Sequence, residues 1–140
     1  MTKFLTLFFA AVLLTACASH NANQTLYAQL KGEQGLENIV DSFIKHIASD
    51  EQVFHYFAKA SVSHFRAGFI THLCDATGGP CEYKGDNMVD IHTGMNINEA
   101  DFNRIVELLV KAMEDNNISY PVQNQVLAKL APHRAEIIKR

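Results

Sequence analysis

The chain has 140 residues, a formal net charge of −3 and 48% hydrophobic side chains, with nine Phe and no Trp. That length suits one domain able to bury a core. The mild acidity, with no basic stripe, argues against a nucleic-acid partner.

Residues 1–16 read as a signal peptide rather than as part of the fold. Met1-Thr2-Lys3 gives a short basic start, and Phe4 to Leu14 is apolar apart from Thr6. This run falls short of the about 20 residues that a spanning helix needs. Leu14-Thr15-Ala16-Cys17 fits the cleavage pattern of a bacterial lipoprotein, with Cys17 as the lipid acceptor. An ordinary secretory signal with a chance cysteine is the alternative. More than one acyl chain on Cys17 gives stable membrane anchoring. Ala18, standing where an Asp would favour inner-membrane retention, points to the periplasmic side of the outer membrane. Residues 17–25 then form a lipidated tether, and 26–140 form the domain.

Thr25 to Leu30 is a short helical piece that ends near Gly32. A first long helix is predicted from about Leu36 to Ser49, because Leu36, Ile39, Val40, Phe43 and Ile47 recur at helical spacing. Asp50-Glu51-Gln52 interrupts it, and Val53 to Phe57 makes an aromatic corner. The next helix, about Ser61 to Ala76, puts Phe65, Phe69, His72, Leu73 and Ala76 on one face. Gly78-Gly79-Pro80 stops it.

Met88 to Thr93 is a short helical turn closed by Gly94. Asn98 caps a strong helix with Asp101 in its first turn. Phe102, Ile105, Val106, Leu109, Val110 and Met113 form its apolar face. After Asp115-Asn116-Asn117, Ser119-Tyr120-Pro121 opens a last helix, with Val122, Val126, Leu127 and Leu130 inward, which Pro132 kinks or ends. No strand-like alternation competes, so the fold class is all-α.

His92 stands out in the segment between the two helical pairs. An imidazole placed there can bind a haem iron from one side; a half-buried, hydrogen-bonded core histidine is the alternative. Beyond Cys17, Cys74 and Cys81 remain. In an oxidising compartment they can pair and clip the Gly78-Gly79-Pro80 loop; two free thiols are equally compatible with the spacing. No zinc spacing, phosphate loop, paired-carboxylate site or Ser/His/Asp set is present.

One ordered set of residues is more specific than any of its parts. It comprises Gly35, Val40-Asp41-Ser42-Phe43, Tyr56-Phe57, Ala76-Thr77-Gly78-Gly79-Pro80, Tyr83, Gly85 and Met88. It continues through His92-Thr93-Gly94-Met95, Ile97, Phe102 and Leu130-Ala131-Pro132. From roughly Leu26 to Ile138 this layout resembles the group I truncated haemoglobins, two-over-two helical sandwiches around haem b (iron protoporphyrin IX).

The resemblance implies that His92 is the proximal iron ligand. It places Phe57 on the haem edge, Phe43 in the core beside the ligand site, and Met88 beneath the porphyrin. Tyr83 falls beside a propionate, and Ile97 and Phe102 on the pocket wall. On the ligand side, members often carry a Tyr and a Gln that hydrogen-bond bound oxygen; those positions hold Ile44 and Phe69 here. Phe65 lies one turn before Phe69, so the face reads Ile44, Phe65, Phe69, Leu73, with His72 as the nearby polar side chain. His72 has three readings: a donor over the haem, a partly exposed side chain at its edge, or a second axial ligand. A propionate partner of the family falls on Gly68, for which Arg66 or Lys84 could substitute.

The function implied is reversible binding of diatomic gas (O2, NO, CO) at a five-coordinate or weakly six-coordinate iron. Two alternatives accompany it: conversion of NO and oxygen to nitrate with an external electron donor, and carriage of haem or electrons. A cofactor-free helical lipoprotein is the bland reading. Oligomeric state is not encoded in any feature of the chain.

Overall fold

The computed structural model describes residues 24–140; the segment read as a signal peptide, Cys17 and most of the expected tether lie outside the described residues. It is helical, as expected, with no strand among the described residues. The elements are α1 (Leu26–Gln29), α2 (Gly32–Ala48), α3 (Phe54–Phe57), α4 (Val62–Ala76), α5 (Met88–His92), α6 (Glu99–Asp115) and α7 (Tyr120–Leu130). A 3-10 turn (Ala131–His133) and α8 (Arg134–Ile137) follow. None of these helices is long and apolar enough to cross a membrane.

α2 is the centre of the packing: α4 lies against one side of it and α6 against another. Its predicted stripe is realised, with Leu36, Ile39, Val40, Phe43 and Ile47 all buried. From α6, Leu108, Leu109, Ala112 and Met113 meet this stripe, and Val122 and Val126 of α7 complete the core. Truncating one such large side chain to Ala typically removes about 2–5 kcal/mol of stability.

α2 starts at Gly32, four residues earlier than the apolar spacing indicates. The reason is at Gly35, where any side chain would run into the carbonyl oxygen of Leu30. A bare backbone there lets α1 and α2 close on each other. Lys31, at the corner, is left-handed (φ 68°), and its Nζ donates to the Asn116 carbonyl at 2.6 Å.

The predicted cap of α6 and the predicted break at Pro132 are both present. Asn98 accepts from the Asp101 amide at 2.9 Å and starts α6. Pro132 turns the end of α7 into the 3-10 stretch, since proline cannot continue an α-helix without losing a hydrogen bond. Cys74 and Cys81 are joined in a disulfide, the first of the two alternatives open in the sequence.

Candidate functional site

α4 contributes little to the closed core: only Leu73 and Cys74 on it are buried. Phe65, Phe69 and His72 are half-buried. Leu73, on the same face, lies in the helical core and is 1% exposed, so the face is graded from half-buried to buried.

The aromatic residues named from the sequence come together. Phe65 and Phe69 stack, with centroids 5.6 Å apart and planes 13° from parallel. Phe43 of α2 reaches Phe69 at 5.4 Å and Phe65 at 6.4 Å. Phe57 of α3 meets Phe65 edge-on at 5.3 Å. Offset and edge contacts of this kind are favourable beyond the area they bury. Ile44, Phe57 and Phe65 line a cavity of about 60 Å³ whose other walls, including Ile47, Phe54 and Val62, are also apolar. The space exceeds the ~30 Å³ share of one water molecule, and nothing in its lining would bind water.

At the far end of α4, His72 meets two rings. Tyr83 is edge-on at 5.0 Å and His133 lies at 5.3 Å. Burial, reinforced by His133 and opposed by Asp75, holds the His72 imidazole below its ordinary pKa. His133 in turn pairs with Glu136, Nδ1 to Oε2 at 2.7 Å. His133 carried no constellation in the sequence. The one signal that could have found it is Pro132, which ends the helix and turns the next residue back toward α4.

α5 is organised around its caps. Asn87 Oδ1 accepts from the Asp90 amide at 2.9 Å, satisfying a donor that the first turn leaves free. His92 Nδ1 lies 2.7 Å from the carbonyl oxygen of Met88. A carbonyl only accepts, so Nδ1 carries a proton, and in the neutral tautomer Nε2 is the nitrogen with the lone pair. No partner for Nε2 is found among the described residues. This tautomer, fixed through the other nitrogen, is the form in which an imidazole binds a metal.

Met88 and His92 are half-buried, and α5 packs on α8. Ile97 is buried, and its carbonyl accepts from the Lys139 amide at 2.9 Å; the neighbouring Asn96 amide donates to the Arg140 carbonyl, also at 2.9 Å. Phe102 of α6 is half-buried beneath the Arg134 guanidinium, 5.7 Å from the ring centroid.

Tyr83 reaches Asp75 through its amide (3.1 Å to Oδ2) and the Asp86 carbonyl through its hydroxyl (3.0 Å). Arg66 is engaged elsewhere: its guanidinium binds both oxygens of Asp41 on α2, at 2.6 and 3.1 Å. The bidentate pair draws it toward α2. Lys84 is exposed and pairs with Glu82 at 3.0 Å.

A polar knot outside the expected site secures the aromatic corner. Asp101 accepts from Gln52 (2.9 Å), Tyr56 (2.7 Å) and Asn98 (2.7 Å). These donors, Gln52 foremost, hold the carboxyl below its ordinary range, while burial and Asp101 push the Tyr56 phenol up to about 12. The knot ties α3, and with it Phe57, to the start of α6. The sequence marks Asp101 only as a dipole partner, because its long-range donors leave no pattern in the chain.

The donor set suits an iron porphyrin. No cluster of three or more His, Cys, Asp or Glu side chains poised for a metal is found among the described residues. A porphyrin brings its own nitrogens and asks the protein for one imidazole and apolar surroundings. His92 offers the first; the half-buried Phe65, Phe69, Met88 and Phe102 offer the second.

Comparison with known proteins gives the same reading. A family model described as bacterial-like globin matches residues 25–139. A group 1 truncated haemoglobin of Tetrahymena pyriformis is 34% identical over 113 residues, covering 81% of this chain and 93% of that protein. One from Mycolicibacterium paratuberculosis is 25% identical, covering 81% and 83%. The crystal structure of the Tetrahymena pyriformis protein in its Fe(III) form superposes with a TM-score of 0.80 at 30% identity, over 84% of this chain and 100% of that one. The helical architecture and these matches place the chain in the group 1 truncated haemoglobin family, a haem protein whose cofactor is haem b.

Proposed function

We propose that this protein is an exported, membrane-tethered haem protein that binds diatomic gas reversibly, with His92 as the proximal iron ligand and an apolar wall over the gas. The observation that carries the reading is the His92 tautomer, Nδ1 tied to the Met88 carbonyl and Nε2 free. Haem supplies the iron at which gas binds; the chain's own side chains decide which gas is held and for how long.

Ile44, Phe65 and Phe69 provide no hydrogen-bond donor. Oxygen draws strongly on such a donor, worth about 1–3 kcal/mol, whereas CO and NO draw on it less. At roughly 1.4 kcal/mol per tenfold, its absence weakens oxygen binding by about 5- to 150-fold. Fast oxygen release with relatively firm CO and NO binding is the expected profile. His72, kept neutral by its surroundings and packed against Tyr83 and His133, fits the reading of an edge residue best.

Export rests on the lipoprotein-type segment ending at Cys17. The Cys74–Cys81 disulfide supports it, since such bonds persist in oxidising compartments. Conversion of NO to nitrate would need an external electron donor, and the apolar wall suits firm oxygen retention poorly.

The test is the optical spectrum of the ferric and ferrous protein beside His92→Ala, followed by oxygen dissociation from the ferrous form. A Soret band lost or shifted in the variant is the expected result. An unchanged spectrum would remove His92 from the iron. Slow oxygen release would remove the apolar-wall account while leaving the ligand in place.

A further inference from the structure

Cys74 is among the most buried residues of the molecule, 1% exposed, and with Leu73 it anchors α4 in the core. Its disulfide partner Cys81 is half-buried and begins the segment that leads to α5. The intervening loop is fitted closely around the bond. A side chain at Gly79 would come within 2.6 Å of Cys74 Sγ and 2.7 Å of the Tyr27 ring, and the Gly79 amide donates to the Cys74 carbonyl at 2.8 Å.

Downstream of Cys81, contacts run without a gap to the helix of His92. Tyr83 lies on His72 and its amide donates to Asp75. Its hydroxyl reaches the Asp86 carbonyl, and a side chain at Gly85 would meet the Tyr83 ring at 2.6 Å. Asn87 then caps α5. Apart from the disulfide, residues 81–87 are held to α4 by the exposed Asp75–Tyr83 hydrogen bond and one ring contact. Such exposed contacts are individually weak. The disulfide adds a covalent cross-link between the core and this segment beside the main chain of residues 75–80.

We propose that the Cys74–Cys81 disulfide is a redox-sensitive strap that sets how firmly the chain retains haem, an inference that rests on His92 being the iron ligand. With the bond closed, the segment before α5 is fixed to the core. With it open, that segment moves off α4 and α5 loses its upstream support. The chemistry is thiol–disulfide exchange with a dithiol. A thiolate of the dithiol attacks Cys81 Sγ, the more accessible sulfur, forming a mixed disulfide; Cys74 leaves as a thiolate and takes up a proton. The second thiol of the reagent then displaces Cys81 and closes the reagent's own disulfide. Two electrons pass from the reagent to the sulfur pair, and iron takes no part.

The measurement is haem loss from the ferric protein to excess apomyoglobin, followed optically. The oxidised protein is compared with protein reduced by dithiothreitol and desalted without air. Closing a loop of this size constrains the chain enough to predict roughly 10- to 100-fold faster loss after reduction, and slow loss again after reoxidation. The double variant Cys74→Ser/Cys81→Ser should lose haem at the reduced rate with or without reductant, which separates the strap from any direct action on iron. Should that variant fail to fold, the comparison on the wild-type chain decides alone. Equal rates in the two redox states, with haem held in both, would overturn the strap and leave the haem reading intact. Failure to hold haem in either state would overturn both.

Discussion

Along α4, Phe65 and Phe69 rest on Phe43 and Phe57 in a single cluster of rings. Their positions are set by α2 and α4, which pack along much of their lengths. Along α5 the support is of another kind. A helix of five residues is held by one asparagine cap, by the Tyr83 loop, by packing on α8 and by two backbone bonds near the end of the chain. The first side is a wall continuous with the core, and it fails only when the fold fails. The second is a suspended segment, and it can fail locally. Variants on the two sides should therefore separate in what they change: global stability and gas affinity on one, retention of haem on the other.

The largest effect should come from the wall. Phe43→Ala removes the buried ring on which both Phe65 and Phe69 rest and should cost about 3–5 kcal/mol, read as a lower midpoint of chemical unfolding. A loss confined to haem binding, with the midpoint unchanged, would erase the distinction between the two sides. Next is Ile44→Tyr combined with Phe69→Gln, which places donors on the wall. It should slow oxygen dissociation by about 5- to 150-fold, matching about 1–3 kcal/mol, and leave CO release nearly as it was.

A smaller change is expected from the suspended side. Asn87→Ala deletes the cap of α5 at a cost of about 1 kcal/mol. It should speed haem loss several-fold with little movement of the unfolding midpoint. A midpoint shift as large as that of the wall variant would show that α5 belongs to the same cooperative unit.

The smallest effect is a pH slope. The folded His72 pKa is lowered below its ordinary 6.5 by burial and by His133, against Asp75. The unfolded chain therefore binds more protons than the folded one as pH falls below 6.5, and stability decreases over that window. His72→Phe should flatten the slope between neutral pH and the folded pKa; an identical slope in the variant would assign it to another group.

The same contrast explains what could be read from the chain. The wall was legible because Phe43, Phe65 and Phe69 lie at helical spacing on long helices, and periodicity survives without knowledge of the partner. The expectation for His92 rests on its ordered neighbours, from Gly78-Gly79-Pro80 to Gly94. The contacts made by the last residues of the chain were not legible. His133 reaching His72, Arg134 over Phe102 and Lys139 bonding Ile97 all depend on how the chain returns after Pro132. Return paths are set by tertiary packing and leave no local signature. Arg66 illustrates the same limit: its charge was evident, but its partner Asp41 was decided by how α2 and α4 face each other.

The bonds from Lys139 and Arg140 to Ile97 and Asn96 also bear on the timing of synthesis. His92 leaves the ribosome well before the residues that steady its helix from below, because the whole of α6 and α7 must be made first. At about 5–20 residues per second that gap lasts a matter of seconds. During it the nascent chain exposes the imidazole without the support of α8. Haem captured at that stage would be held by an unfinished site, so firm loading belongs to the completed chain.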